Sequence, residues 1–178
     1  MKNLKTISSP HQPVLYHESL KYLKPEKSGK YIDGTLGAGG HAEGILRLCG
    51  PDGMLLGLDL DDQAINIAAR KLSIFKDRCI IRKASYGDMK NIAVSLGWES
   101  VDGILLDLGL SSMQLDTVDR GFSIQKDAPL DMRFDTCHGR TAADLINSLT
   151  ENDISTILWE YSDEPKSRQI AKLIIENR

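Results

Sequence analysis

Lys30-Tyr31-Ile32-Asp33-Gly34-Thr35-Leu36-Gly37-Ala38-Gly39-Gly40-His41 runs from a short apolar stretch through a cluster of glycines into helical periodicity. Lys30 to Asp33 reads as a strand ended by Gly34, and His41 to Leu48 as a helix with Gly50 as its terminator. Glycines at such a junction let the backbone turn sharply and let a ligand approach where a Cβ would intrude. The helix N-terminus beyond them offers N–H groups to an anion. Gly-rich turns also end strands for steric reasons alone, and it is the placement between strand and helix that favours a binding site.

Further along, the chain repeats this strand–helix alternation, which marks stacked βαβ units and a parallel sheet. Met54 to Asp59 is apolar on both faces, as a buried parallel strand must be. Asp62 is placed to cap the next helix, with Ile65, Ala68, Ala69 and Leu72 on one face. Cys79 to Ile81 is a third strand. Asp88 then caps a helix with Met89, Ile92, Ala93 and Leu96 inward and Gly97 just past its end, and Ile104 to Leu108 is a fourth strand. Residues 109–140 keep no period, yet Phe122, Leu130, Met132 and Phe134 make them too apolar for disorder. Thr141 with Asp144 and Thr150 with Asp153 have capping-box spacing, and Pro165 opens a third helix. Residues 1–10 read as a loose arm. The last apolar helical run (Ile170, Leu173, Ile174) reaches Arg178 with no fifth strand, which would leave Ile104–Leu108 as an exposed apolar edge. The expectation is therefore of a fragment.

Two acids extend the site. Asp59 ends the second strand 19 residues after Gly40, close to the spacing of about 20 for a ribose-binding acid. Asp107 is a lone carboxylate in an apolar strand, where an unpaired charge is costly and a polar ligand group is the natural partner. Gly37-Ala38-Gly39-Gly40-His41-Ala42 also satisfies the dinucleotide pattern, so these features alone leave the cofactor open. The formal net charge of −3 gives no hint of a nucleic-acid binder. Cys49, Cys79 and Cys137 are an odd number without metal-ligand spacing, which indicates no metal site and no disulfide framework. Nothing reads as a signal peptide or a membrane span, so a cytoplasmic protein is expected.

Asp107-Leu108-Gly109-Leu110-Ser111-Ser112-Met113-Gln114-Leu115-Asp116, with Arg120-Gly121-Phe122-Ser123 and Pro129-Leu130-Asp131-Met132-Arg133-Phe134-Asp135, resembles the MraW/RsmH family of small-subunit ribosomal RNA (cytosine-N4)-methyltransferases. His11-Gln12-Pro13-Val14-Leu15 and Tyr31-Ile32-Asp33-Gly34-Thr35 with Gly39-Gly40-His41 fit the same pattern. The resemblance implies an α/β, Rossmann-like methyltransferase core over residues 11–112, with strands 1–4 present, and the beginning of an inserted helical domain over 113–178. It implies S-adenosyl-L-methionine as cofactor. Gly39, Gly40 and His41 would lie beside the methionine end, Asp59 on the ribose, Tyr86 near the adenine, and Asp107 and Gln114 closing the pocket. The small ribosomal subunit and its 16S RNA are the implied partners, the methyl group going to N4 of a cytidine near the decoding centre. Two departures stand out. Tyr161-Ser162-Asp163-Glu164-Pro165-Lys166 has Pro165 where the family carries an arginine, and the family's later segments, including a Phe-His-Ser-Leu-Glu-Asp-Arg block, are absent.

In the implied reaction Asp107 is the candidate proton acceptor. Phe122 or Phe134 would stack the target base, and Arg120, Lys126, Arg133 and Arg140 would face phosphates. The alternative is that the two phenylalanines are core and that the arginines pair with Asp119, Asp131 and Asp135. Two other functions remain: a catalytically silent S-adenosylmethionine-binding module, and an NAD-dependent dehydrogenase, for which neither a second mononucleotide-binding half nor a catalytic His or Tyr-Lys pair is evident.

Overall fold

The computed structural model describes residues 13–178, and the expected arm and the His11-Gln12 pair lie outside the described residues. The chain forms two compact units, one ending at Gly109 and one starting at Leu110.

The first unit holds α1 (Tyr16–Leu23), β1 (Lys30–Asp33), α2 (Gly40–Leu48), β2 (Met54–Asp59), α3 (Asp62–Leu72), β3 (Cys79–Lys83), α4 (Met89–Ser95) and β4 (Gly103–Leu105). The strands form one parallel sheet in the order β3-β2-β1-β4. This reversal of winding direction at β1 is the doubly wound, Rossmann-like arrangement. Successive strand residues point to opposite faces, and the core divides accordingly. Tyr31, Leu55 and Leu105 pack with Ala42, Ile45 and Leu46 of α2 and Ala68 and Leu72 of α3. Ile32, Leu56 and Leu58 pack on the other face with Ala93 and Trp98, backed by Met89, Ile92 and Leu96. β2, second from one edge with helices on both faces, is buried along four of its six residues.

Three boundaries differ from the expected ones. β4 stops at Leu105 instead of Leu108, because β1, its one partner among the described residues, turns away at Gly34. The last ladder bond runs from Gly34 N–H to Leu105 O at 2.9 Å, and the Asp107 N–H goes to Thr35 Oγ1 at 2.7 Å. Asp61, not Asp62, caps α3. It has the extended backbone that a cap requires and accepts the Gln63 N–H at 2.9 Å, while Asp62 pairs with Lys83 at 2.7 Å. At α4, Asp88 stands at the cap position without a side-chain bond, since the helix continues from a 3₁₀ turn whose own cap is Ser85. Gly97 does follow α4 in the left-handed region, at φ 74°.

The second unit holds α5 (Ser112–Asp116), α6 (Ala142–Ser148), α7 (Glu151–Ser162) and α8 (Ser167–Asn177). Both expected capping boxes are formed, Thr141 with Asp144 and Thr150 with Asp153. α8 begins at Ser167, two residues after Pro165, and Ile154, Ser167 and Ala171 are buried where α7 meets it. The aperiodic stretch between α5 and α6 is ordered around a buried arginine. Arg120 Nη2 donates to the carbonyls of Arg133 at 2.8 Å and Phe134 at 3.0 Å, and its own carbonyl accepts from Met132 N–H. Gly121, at φ 69°, lets this turn pass against the Pro129 carbonyl, where a Cβ would collide.

Leu55→Ala should lower stability by about 2–5 kcal/mol, because Leu55 is fully buried in the sheet's larger core cluster. Ile104→Ala, at an exposed position of β4, should cost about 0.5 kcal/mol or less. Urea titration of both variants checks the contrast.

Candidate active site

The turn after β1 bonds to the strands on both sides of it. Besides the Gly34 bond to β4, Leu36 N–H donates to Leu58 O of β2 at 2.9 Å, and Gly37 N–H donates to Asp59 Oδ2 at 2.8 Å. Asp59 Oδ1 accepts the Asp61 N–H at 2.9 Å. Thr35 Oγ1 receives the Asp107 amide. Asp33, Asp59 and Asp107 are thereby gathered at the carboxyl ends of three adjacent strands, where parallel sheets bind ligands.

The glycines of the turn serve different purposes. Gly37 has φ 50°, and a Cβ there would meet nothing nearer than the Thr35 carbonyl oxygen at 3.9 Å, which suits close approach of a ligand. Gly39, at φ 76°, is the N-cap of α2, and a Cβ there would press on Leu72 and Ala68. A Cβ on Gly40 would collide with Pro13, and one on Gly44 with Tyr16 and Leu20. Gly40 and Gly44 thus admit the Pro13–Leu20 segment of the chain itself. What Gly39 and Gly40 can offer a ligand is main chain, at a helix end whose first amides have no partner within the helix.

His41 is buried and stacked on Tyr16, with ring centroids 5.8 Å apart. Its Nε2 lies 3.7 Å from Asp107 Oδ2. Burial lowers its pKa, outweighing the nearby Asp107, so the ring is held neutral. The expectation of Asp107 as a charge buried in a strand is corrected: it stands two residues past β4 with its side chain half exposed.

The buried carboxylate is Asp33, which no ligand-spacing rule had singled out. It is 1% exposed. Oδ1 accepts only a long bond from Thr35 N–H at 3.2 Å, and Oδ2 has no partner. Burial, with the negative charges of Asp59 and Asp107 adding to it, pushes its pKa up to about 7. The available signal was an acid closing a strand directly after two core residues, Tyr31 and Ile32.

Tyr86 opens the turn after β3, half exposed, with its Cβ close to Gly34. Gln114 lies in the second unit, buried in a capping box: its Oε1 accepts the Ser111 N–H, and its N–H donates to Ser111 Oγ. The basic residues expected to face phosphates are engaged within the second unit. Arg120 is turned inward, a correction forced by its burial. Arg133 forms a two-pronged pair with Asp131, at 2.7 and 2.9 Å, which holds the Asp131 pKa down at about 2. Lys126 Nζ donates to Asp116 O at 3.1 Å, and Arg140 donates to Asp144 O at 3.1 Å. Phe122 and Phe134 pack on each other with centroids 5.6 Å apart, and Phe134 keeps part of its ring exposed. Among the described residues, no group of three or more His, Cys, Asp or Glu side chains is placed to hold a metal ion, and no helix is long and apolar enough to cross a membrane.

The profile of the MraW methylase family matches residues 8–178. The chain is 45% identical over 168 residues to the ribosomal RNA small subunit methyltransferase H of Geotalea uraniireducens, covering 94% of this chain and 54% of that protein. It is 48% identical over 164 residues to the same-named protein of Syntrophotalea carbinolica, covering 92% and 52%. The chain therefore spans about half the length of the curated relatives it matches. An rRNA methylase structure from Streptococcus thermophilus shares 16% identity at a TM-score of 0.39, over 48% of this chain and 50% of that one.

The state of Asp33 sets a pH dependence. Unfolded, its carboxyl titrates near 3.8; folded, near 7. Between those values the folded protein keeps a proton that the unfolded chain has lost, so this group makes stability fall as pH rises. Asp33→Asn should therefore stabilise the protein by a few kcal/mol at pH 8 and by much less at pH 4.5. Chemical denaturation at both values checks this, and equal gains would remove the buried-acid assignment.

Proposed function

The chain belongs to the MraW methylase family, and on that premise we propose that it is the donor-binding part of an S-adenosyl-L-methionine-dependent methyltransferase acting on N4 of a cytidine in small-subunit 16S ribosomal RNA near the decoding centre. The observation that carries the reading is the acidic crevice itself. Asp33, Asp59 and Asp107 converge beside the open turn at Gly37, and the charges acting on the buried Asp33 are both negative. Such a crevice suits a cation. It disfavours the pyrophosphate of a dinucleotide, which argues against the dehydrogenase reading even though the glycine spacing admits it.

The residues fit the donor. Asp59 spends one bond per oxygen on the turn, and a carboxylate has about four acceptor sites, so it retains capacity for the ribose hydroxyls. Tyr86 offers an exposed ring for the adenine, and the main chain of Gly39, Gly40 and His41 would line the methionine end. When bound, S-adenosylmethionine supplies an electrophilic methyl group on a sulfonium. The protein's own work is positioning and proton handling. The exocyclic amine of cytosine is a poor nucleophile because its lone pair is delocalised into the ring. Asp107, solvent-accessible beside the neutral His41, can accept its N–H hydrogen bond and then its proton. Phe134, the more exposed of the two phenylalanines, is assigned the stacking of a splayed base. We place the residues up to 112 in the methyltransferase core, those from 113 in the inserted helical domain, and the work in the cytoplasm, on the small ribosomal subunit.

Asp59→Ala should weaken binding of S-adenosylmethionine at least tenfold, as expected for hydrogen bonds to a charged group of about 1.5–3 kcal/mol each. Calorimetric titration of the folded variant reads it, and an unchanged Kd removes the ribose assignment.

Labelled S-adenosylmethionine incubated with small ribosomal subunits should give N4-methylcytosine in the RNA and none on free cytidine. Methylation of protein or of cytosine C5 would overturn the assignment. Donor binding without turnover would make the chain the silent module, a reading that its half-length match to the relatives keeps in view.

A further inference from the structure

Asp33 is a carboxyl group without a settled charge. One oxygen has a single long hydrogen bond and the other has none, in a place closed to water. Every element around it withholds compensation. Asp59 at the end of β2 and Asp107 beyond β4 are carboxylates, and both oppose its ionisation. From β3 comes only Cys79, whose thiol is pushed up to about 11, mainly by burial and in part by Asp33. On α2, His41 is held neutral by burial and faces Asp107. The backbone of Thr35 gives the one stabilising bond. Below about pH 7 a carboxyl so placed keeps its proton until a positive charge arrives.

We propose that Asp33 is the proton-linked counter-charge of this site: a cationic ligand entering at the carboxyl ends of β1, β2 and β4 expels the proton that Asp33 holds, so the site takes the charged sulfonium donor in preference to the uncharged thioether left after methyl transfer. This rests on the reading of the crevice as a donor site. The step breaks the Asp33 O–H bond and passes the proton to solvent, with no redox change. A positive charge within about 4–6 Å favours an ionised carboxylate some tenfold to a thousandfold. The same ionised Asp33 loses that compensation once the sulfonium has become a thioether. Reprotonation then returns the crevice to its resting charge, and the product is held less firmly.

The test is calorimetric titration of the 178-residue chain with S-adenosylmethionine and, separately, S-adenosylhomocysteine, in buffers of different ionisation enthalpy between pH 5.5 and 7. In that range the ligands' α-amino groups remain charged. With the folded carboxyl titrating near 7, the sulfonium should release about half a proton at pH 7 and close to one at pH 6. Its Kd should rise nearly tenfold for each unit by which the pH is lowered below about 6.5. The thioether should release markedly fewer protons and show a flatter Kd. Asp33→Asn should abolish the sulfonium's proton release and narrow the preference between the two ligands. The wild-type comparison stands even if the variant does not fold. Binding of the sulfonium without buffer dependence overturns the proposal alone, as does equal proton release with both ligands. Binding of neither ligand overturns the donor-site reading and this proposal with it.

Discussion

The turn from Asp33 to Gly37 joins the strands that carry the candidate site. Its amides bond to Leu105 of β4, Leu58 of β2 and the Asp59 carboxylate, and its threonine hydroxyl receives the Asp107 amide. Few other conformations would satisfy these partners at once. The bonds fix the depth at which β1 ends, and that depth decides where β4 loses its neighbour and where Asp107 emerges. The positive φ at Gly37 and Gly39 is the backbone cost of this geometry, one that a side chain would raise. The site is thus a consequence of how β1 stops.

Within that frame, stability and function oppose each other at one residue. Burying Asp33 with an unsatisfied oxygen costs folding energy that an asparagine would not. Native proteins tolerate such groups where a ligand or a proton completes them. Asp59 shows the other solution: each of its oxygens is bonded by the turn, and in the proposed role it would receive neutral hydroxyls without any change of charge.

Much of this was legible in the residues, for physical reasons that also explain the failures. β2 was read to the residue because a strand apolar on both faces has only one environment, and the helix faces over Ala68 and Ala93 followed from periodicity. The Thr141 and Thr150 caps were visible because the capping box is a local contract between residues three apart. β4 was overdrawn because Ile104–Leu108 has strand character throughout, whereas a strand's length is set by its neighbour. The same error buried Asp107 in place of Asp33. Glycine was read as room for a ligand, and at Gly40 the room is taken by Pro13. Arg120 was left open between facing a phosphate and pairing with a nearby acid, and arginine is seldom buried. In an aperiodic segment it supplies what regular structure would have supplied, donors for otherwise stranded carbonyls.

Charge then separates the two halves of the proposed chemistry. On the proposed reading, a crevice that holds a cation among Asp33, Asp59 and Asp107 would also repel the polyanionic backbone of RNA. A neutral base can enter it; its phosphates must stay outside, at distances where the roughly 8 Å Debye length of physiological salt blunts the repulsion. Extrusion of a single nucleotide satisfies both demands, because it brings a base to the methyl group while leaving the helix behind. On that reading, RNA affinity would be generated away from Asp33, Asp59 and Asp107. Since Arg120 and Arg133 are already committed to carbonyls and to Asp131, counting arginines in the motif segment overstates what it can offer a phosphate. On the proposed reading, the base would be held where the charge is negative, and the strand it belongs to would be held elsewhere.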